Sequence, residues 1–299
     1  MKATFRQLKL FLALADSGSV SGAARILHVT QPTASMQLRE LSDSIGLPLF
    51  EVIARRVHLT EAGRELARVA RVMAAEWDAF EQYVDGLNGL TRGKLKVAVV
   101  STAKYFIPRL LGTFCARYPE IEVALEVLNR DGVVRRLEAN LDDLCIMSRP
   151  PTDMDIRDDI FLPNPLMLVA SASHRFVGQG GLGLQDLRGE RFILREQGSG
   201  TRMATDAHFR RQTFRPDIRL ELGSNEAIKQ SVAGGLGLAV ISAHALGERP
   251  DQEGVVPLGI AGFPIESNWH IVHRGGARLS PIAAAFRTLL LEQARSFQL

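Results

Sequence analysis

The first sixty residues carry three short amphipathic patterns separated by glycine and polar breaks. Phe5, Leu8, Phe11, Leu12 and Ala15 fall at helical spacing and predict a helix over 5–16. Thr4 with Gln7 fits a capping box at its start, and Gly18 fits its end. Val20, Ala23, Ala24 and Leu27 give a second helix its buried side, where the small Ala23-Ala24 pair lets another helix approach closely. After a four-residue break, Ala34, Leu38, Leu41 and Ile45 share one face of a third helix. Thr30 can cap that helix, Pro32 is tolerated in its first turn, and Gly46 ends it. Residues 50–59 (FEVIARRVHL) read as a short hairpin with Arg55 and Arg56 near its tip.

Residues 61–89 contain no proline, and Leu66, Val69, Met73, Trp77, Phe80, Val84 and Leu87 recur three or four apart. That seam suits packing against a helix of a second chain, or against its own domain. From Gly93 the pattern changes. Residues 94–100 and 121–127 read as strands, with a helix over 104–117 between them. Such βαβ order implies an α/β domain with helices on both faces of open sheets.

Composition narrows the class. The chain has 299 residues, of which 46% are hydrophobic, enough for two or three packed domains. Net charge is only +3, but residues 1–60 hold seven Lys/Arg against four Asp/Glu, and residues 61–91 hold three against six. The basic excess thus lies with the helical triplet. Two cysteines, Cys115 and Cys145, make no disulfide framework. No apolar run reaches membrane-spanning length and no signal peptide opens the chain, so a cytoplasmic protein without a membrane partner is expected.

The second and third helices form a helix-turn-helix pattern. Stepping 100° per residue puts Pro32, Met36 and Arg39 opposite the buried face, flanked by Thr33 and Ser35. Thr30 and Gln31 sit at the N-terminal end, which can enter a major groove. The Gln31 amide can pair with adenine N6 and N7, and Met36 can touch a thymine methyl. Arg39 reads as a phosphate contact. A basic hairpin directly afterwards is a wing, whose Arg55 and Arg56 would lie on phosphates or in the minor groove. The bland alternative is a small helical bundle with an ordinary polar face.

The sequence here resembles the LysR-type transcriptional regulators. The matching residues are Phe11, Ala23-Ala24, Thr30-Gln31-Pro32-Thr33-Ala34-Ser35, Leu49-Phe50, Arg55-Arg56 and Leu59-Thr60-Glu61-Ala62-Gly63. Residues 102–119, Asn129-Arg130 and 142–151 look most like the branch that includes regulators of Calvin-cycle carbon-fixation operons. Met36 departs from the arginine common in the family, and Ala54 from a wing glycine. The resemblance implies a winged helix-turn-helix over 1–60, a dimerising linker helix over 61–91, and an effector-binding domain over 92–299. That last domain would be two-lobed and periplasmic-binding-protein-like, with lobe one at 92–163 and 268–299 and lobe two at 164–267. The resemblance also implies double-stranded promoter DNA as partner, a homodimer or homotetramer, contact with RNA polymerase, and residence at the nucleoid.

Ligands of open α/β sheets sit at the carboxyl ends of strands, near helix N-termini. Ser101 and Thr102 end the first strand. Gly198-Ser199-Gly200-Thr201-Arg202 follows the strand pattern at 191–194, and Asn129 follows the second strand. If these face one another, Ser101, Thr102, Asn129, Thr201 and Arg202 would hold a small anionic effector, with Arg202 pairing to its carboxylate or phosphate. Helix capping and ordinary turns are the alternatives. Asn225 reads as a helix cap, and Gly234-Gly235-Leu236-Gly237 as a turn into a buried strand. No cofactor is expected beyond the effector. No metal is expected either, since the seven histidines lack metal-ligand spacing, with His270 and His273 on opposite strand faces. No catalytic constellation is visible, so no enzyme is expected. The alternative functions are a small-molecule binding protein and a redox-responsive regulator using Cys115 and Cys145.

Overall fold

The computed structural model describes residues 2–53, 56–86, 92–247, 250–276 and 278–294. Arg55, Ala54 and Leu87, which the sequence singled out, lie outside them. The chain forms two compact units that divide between Val84 and Asp85.

The first unit opens with α1 (Phe5–Ser17), α2 (Val20–Ile26) and α3 (Gln31–Ile45). Their limits follow local chemistry. Thr4 and Gln7 form a reciprocal capping box, and Gly18 closes α1 in the left-handed region at φ 66°. Ser19 and Thr30 cap α2 and α3, and Gly46 ends α3 at φ 80°. Phe11, Leu14, Ala23, Ala34, Leu38 and Leu41 are buried together between the three helices. The wing is an antiparallel pair, β1 (Phe50–Ile53) and β2 (Arg56–Leu59). Helix α4 (Glu61–Gly86) follows. Its first turn explains the Leu59–Gly63 motif. Thr60 Oγ1 donates to the Pro48 carbonyl at 2.7 Å and accepts from the Gly63 N–H at 3.0 Å. A Cβ on Gly63 would lie 1.8 Å from the Leu49 carbonyl oxygen, so only glycine permits this approach.

Helix α4 divides its faces. Ala67 and Ala70 are buried in the core of the three-helix head, and Leu66 packs on it. Met73, Trp77, Phe80 and Val84 stay 43–54% exposed. Trp77 touches Phe5 and Phe80 at ring distances of 5.7 and 5.9 Å. The helix therefore seats its first turns on its own head and leaves an apolar stripe uncovered further along.

The second unit holds two five-stranded sheets of like plan. The first lobe begins with β3 (Gly93–Val100), a 3-10 turn at Ser101–Tyr105, α5 (Ile107–Arg117) and β4 (Ile121–Leu128). It continues with α6 (Arg130–Glu138), β5 (Leu144–Met147) and β6 (Ile156–Pro163). The second lobe contains β7 (Leu166–Ser171), β8 (Arg191–Arg195), α7 (Gly200–Arg211), β9 (Asp217–Leu222), α8 (Asn225–Ala233), β10 (Leu238–Ser242) and β11 (Val255–Pro257). The chain then returns through β12 (Asn268–Arg274) and α9 (Pro281–Gln293). Sheet orders are β4-β3-β5-β12-β6 and β9-β8-β10-β7-β11. In each, four strands run one way and one runs against them, β12 in the first sheet and β7 in the second. The crossing strands are tied to each other, with the Asn164 N–H donating to the Ser267 carbonyl at 2.8 Å and Leu166 exchanging two bonds with Ile265.

Each sheet is covered on both faces. In lobe one, Phe106, Phe114, Phe161, Trp269, Ile282, Phe286 and Leu289 form one core and Val133, Leu137, Cys145 and Val272 the other. In lobe two, Phe192, Phe209 and Phe214 pack one face and Ile228, Val232 and Ile241 the other. The helix expected over 104–117 is a correction. It breaks at Phe106 (φ −130°, ψ −31°) and restarts at Ile107. Pro108 has no N–H to give the Lys104 carbonyl, so the turn cannot run on as an α-helix.

Candidate nucleic-acid interface and ligand cleft

The first unit presents one polar face. Thr30, Gln31, Pro32, Met36 and Arg39 are exposed along the opening of α3, with Thr33 and Ser35 half-buried between them. Capping shapes this end. Thr30 Oγ1 accepts from the Thr33 N–H and shares a 2.8 Å hydrogen bond with Thr33 Oγ1. Ser21 of α2 donates to Gln31 Oε1 at 3.2 Å, which leaves the Gln31 Nε2 hydrogens for an outside acceptor. Met36 is 54% exposed on this face. Arg39 and Ser35 also border a groove of about 700 Å³ between α3 and the wing, whose other wall includes Phe50 and Val52. Arg56 is exposed at the start of β2.

The second unit carries its polar chemistry where β3 and β8 end, equivalent places in the two sheets. Ser101 and Thr102 stand at the end of β3, and neither caps its turn by a side-chain bond. Ser199, Gly200 and Thr201 open α7, and Ser199 Oγ caps it by accepting from the Arg202 N–H. Thr102, Ser199 and Thr201 are buried. With Arg130, Ser148, Arg149 and Arg195 they enclose a cavity of about 20 Å³, room for roughly one water-sized group. Small residues bring the lobes this close. A Cβ on Gly200 would lie 2.6 Å from Ser148 Oγ, and one on Gly198 2.9 Å from the Asp131 carboxylate.

Two of the anticipated ligands are corrected. Arg202 is turned away from the cavity. Its Nε donates to both Asp206 oxygens at 3.0 Å, and its Nη1 donates to Glu221 at 2.7 Å and the Arg195 carbonyl at 2.8 Å. Burial opposes its charge, but Glu221 and Asp206 outweigh that and hold its guanidinium above the usual range. Asn129 caps α6, with Oδ1 accepting from the Gly132 N–H at 2.9 Å. Asn225, expected as a cap, is a buried bridge between the lobes, and Ser224 caps α8 instead.

The residues that reasoning from sequence missed are Arg195, Asn225 and Glu226. Arg195 Nη1 donates to Thr102 Oγ1 (3.3 Å) and Asn225 Oδ1 (3.1 Å), while Nη2 donates to Ser101 Oγ (3.3 Å). Asn225 Nδ2 donates to Thr102 Oγ1 at 3.0 Å. Beside them Glu226 accepts from Lys104 Nζ at 2.9 Å and from the Tyr105 hydroxyl. Burial works against ionising Glu226, but the bonds from Tyr105 and Lys104 prevail and draw its carboxyl down to about 2. Burial, and then the hydrogen bond to Glu226, push the Tyr105 phenol up. Apart from the Arg195–Asn225 bond, which lies within the second lobe, each of these bonds joins the segment that ends β3 to the second lobe.

Cys145 is fully buried in β5, where burial raises its thiol far above the reactive range. Cys115 lies in α5. Among the described residues no group of three or more His, Cys, Asp or Glu is placed to hold a metal, and no helix is long and apolar enough to cross a membrane.

A winged helix-turn-helix head on a long helix, followed by two α/β lobes that close over a polar cleft, defines a ligand-responsive DNA-binding regulator. The bacterial regulatory helix-turn-helix of the lysR family matches residues 5–64, and the LysR substrate binding domain matches residues 88–295. The chain belongs to the LysR family of transcriptional regulators. It is 41% identical over 296 residues to the RuBisCO operon transcriptional regulator of Allochromatium vinosum, covering 98% of this chain and 97% of that one. It is 39% identical over 284 residues to the HTH-type transcriptional activator CmpR of Synechocystis, covering 95% and 93%. Among solved structures, the CcmR regulatory domain of Synechocystis in complex with 2-PG is 43% identical with a TM-score of 0.67, covering 69% of this chain and 99% of that domain. Full-length CbnR with its target DNA shares the fold at a TM-score of 0.66 and 24% identity, covering 97% and 99%. Regulators of this family bind promoter DNA, respond to small molecules and form oligomers.

Proposed function

We propose that this protein controls transcription of genes for carbon fixation or inorganic-carbon uptake, and that it does so by sensing a small phosphorylated acid such as 2-phosphoglycolate in the cleft between its lobes. The observation that carries the reading is the joint one: full-length relatives near 40% identity are RuBisCO-operon and CmpR-type regulators, and the regulatory domain solved with 2-PG is 43% identical. The cleft chemistry agrees with that class, since Ser101, Thr102, Ser199 and Thr201 line one cavity at the N-terminal end of α7.

In this reading residues 1–60 are the DNA-binding domain, 61–91 the dimerising helix and 92–299 the effector domain, with lobes at 92–163 plus 268–299 and at 164–267. Gln31, Thr33, Ser35 and Met36 read bases. Thr30, Pro32, Arg39, Arg55 and Arg56 set the head on the backbone. Ser101, Thr102 and Thr201 contact the effector. The cleft is nearly filled by the clasp of Arg195, Asn225 and Thr102, so admitting a metabolite moves the lobes apart. An effector shifts this equilibrium only by its preference for the widened form.

The test is fluorescence anisotropy with promoter fragments of a carbon-fixation operon, at several salt concentrations, with and without 2-phosphoglycolate. Gln31→Ala is expected to lose about 1–3 kcal/mol of discrimination between specific and random DNA. Arg56→Ala is expected to weaken both alike and to reduce the salt slope by about one. No preference for the promoter fragment under any condition would refute the reading.

A further inference from the structure

Three arginines line the cavity and a fourth, Arg202, is bonded behind Arg195; their hydrogen bonds separate them into two kinds. A guanidinium has five N–H donors. Arg195 makes five side-chain contacts: Nε to Glu196 Oε2 at 2.7 Å, Nη2 to Glu196 Oε1 at 2.9 Å and to Ser101, and Nη1 to Thr102 and Asn225. Its charge is met by Glu196 and its donors are spent. Arg202 is likewise held by two carboxylates, Asp206 and Glu221. Neither has charge to offer an incoming anion without abandoning a partner.

Arg130 and Arg149, both on lobe one, are different. Arg130 spends only Nε, on the Arg149 carbonyl at 2.8 Å. Among the described residues, no carboxylate is ion-paired with either side chain. Both line the cavity beside Ser101, Thr102, Ser199 and Thr201. The Cβ and Cγ of Arg149 run along Gly200, where an added methyl would sit 3.8 and 3.7 Å from them, so its stem lies over the first turn of α7. Arg149 also borders the wider neighbouring groove of about 610 Å³, which places it at the mouth of the cavity.

We infer that Arg149 and Arg130 carry the charge recognition of the effector, with Arg149 at the mouth, and that Arg195 and Arg202 serve as internal braces. The inference rests on the reading that this cleft takes a small anion, and it narrows the class. Two uncompensated guanidiniums beside a helix N-terminus match a doubly charged phosphate monoester, which carries about −1.5 to −2 near neutral pH, better than a single carboxylate. A fork-shaped donor suits phosphate oxygens two at a time.

The experiment is calorimetric titration of the full chain with 2-phosphoglycolate, glycolate and inorganic phosphate. Wild-type protein is expected to bind 2-phosphoglycolate well and glycolate poorly. Arg149→Gln and Arg130→Gln are each expected to weaken 2-phosphoglycolate by about 10- to 100-fold. Arg149→Lys, which keeps charge but not the fork, should fall between Gln and wild type. Thermal unfolding of each variant, with Tm unchanged, separates this effect from loss of fold. If the variants bind like wild type while Thr201→Ala is impaired, the assignment to these arginines is overturned and the cleft reading stands. A wild-type protein that takes up neither 2-phosphoglycolate nor phosphate overturns both.

Discussion

Asn225→Ala isolates the clasp between the lobes. The Asn225 side chain is buried, accepts from Arg195 Nη1 at 3.1 Å and donates to Thr102 Oγ1 at 3.0 Å. Truncation leaves Arg195 Nη1 with Thr102 alone, at 3.3 Å. A hydrogen bond to a charged group contributes about 1.5–3 kcal/mol and a neutral one about 1. Arg195 and Asn225 both belong to lobe two, so their bond persists when the lobes part; the loss between the lobes is the Thr102 bond, about 1 kcal/mol, which raises the constant for lobe separation roughly fivefold at 1.4 kcal/mol per decade. The assay is native-state amide exchange at Phe106 and Ile228, which flank the clasp on either lobe and report local opening. Asn225→Asp is the control. It keeps an acceptor for Arg195, and the Thr102 hydroxyl can turn its hydrogen toward it, so exchange should rise by under about twofold. Wild-type exchange rates in Asn225→Ala, or equal rates in the Ala and Asp variants, would refute the argument that these bonds hold the lobes together.

Two further outcomes follow from the fold. Gly237→Ala is expected to destabilise the effector domain by about 2–3 kcal/mol in thermal unfolding, because a Cβ would lie 2.4 Å from the Arg191 carbonyl oxygen at φ 156°; Gly235→Ala, with open space at φ 72°, should cost about 1 kcal/mol. Stability should also fall on acidification from pH 7 to pH 5. Burial depresses His208, His244 and His273, so each is favoured neutral in the fold; their contribution is complete above the ordinary value of 6.5 and is lost as pH falls through the folded values. Denaturant midpoints that are flat across that range would contradict this.

The head was legible because its rules are local. Thr4 with Gln7, Gly18, Thr30 and Gly46 mark helix limits within a few residues of where the structure puts them, and apolar periodicity picked out the buried faces. The cleft was legible only as a place. Sheet logic located the ends of β3 and β8, but the bonds that organise them span 93 to 123 positions of sequence, beyond any local pattern. Arg195 closes an apolar strand whose hydrophobic residues drew the attention. Arg202 misled because it follows a glycine-rich helix start. A signal against it was present in Asp206, four residues on and on the same helix face. The break at Phe106 was likewise readable from Pro108.

Helix α4 has a mechanical implication. Ala67 and Ala70 lie in the core of the three-helix head, so the head cannot swivel on the helix that bears it. The 26 residues of α4 span about 39 Å. A pair of such rods inclined differently by about 10° would displace its tips by about 7 Å, roughly two base-pair steps of 3.4 Å. Small angular adjustments far from the operator thus become changes in which stretch of duplex the two heads can grip at once.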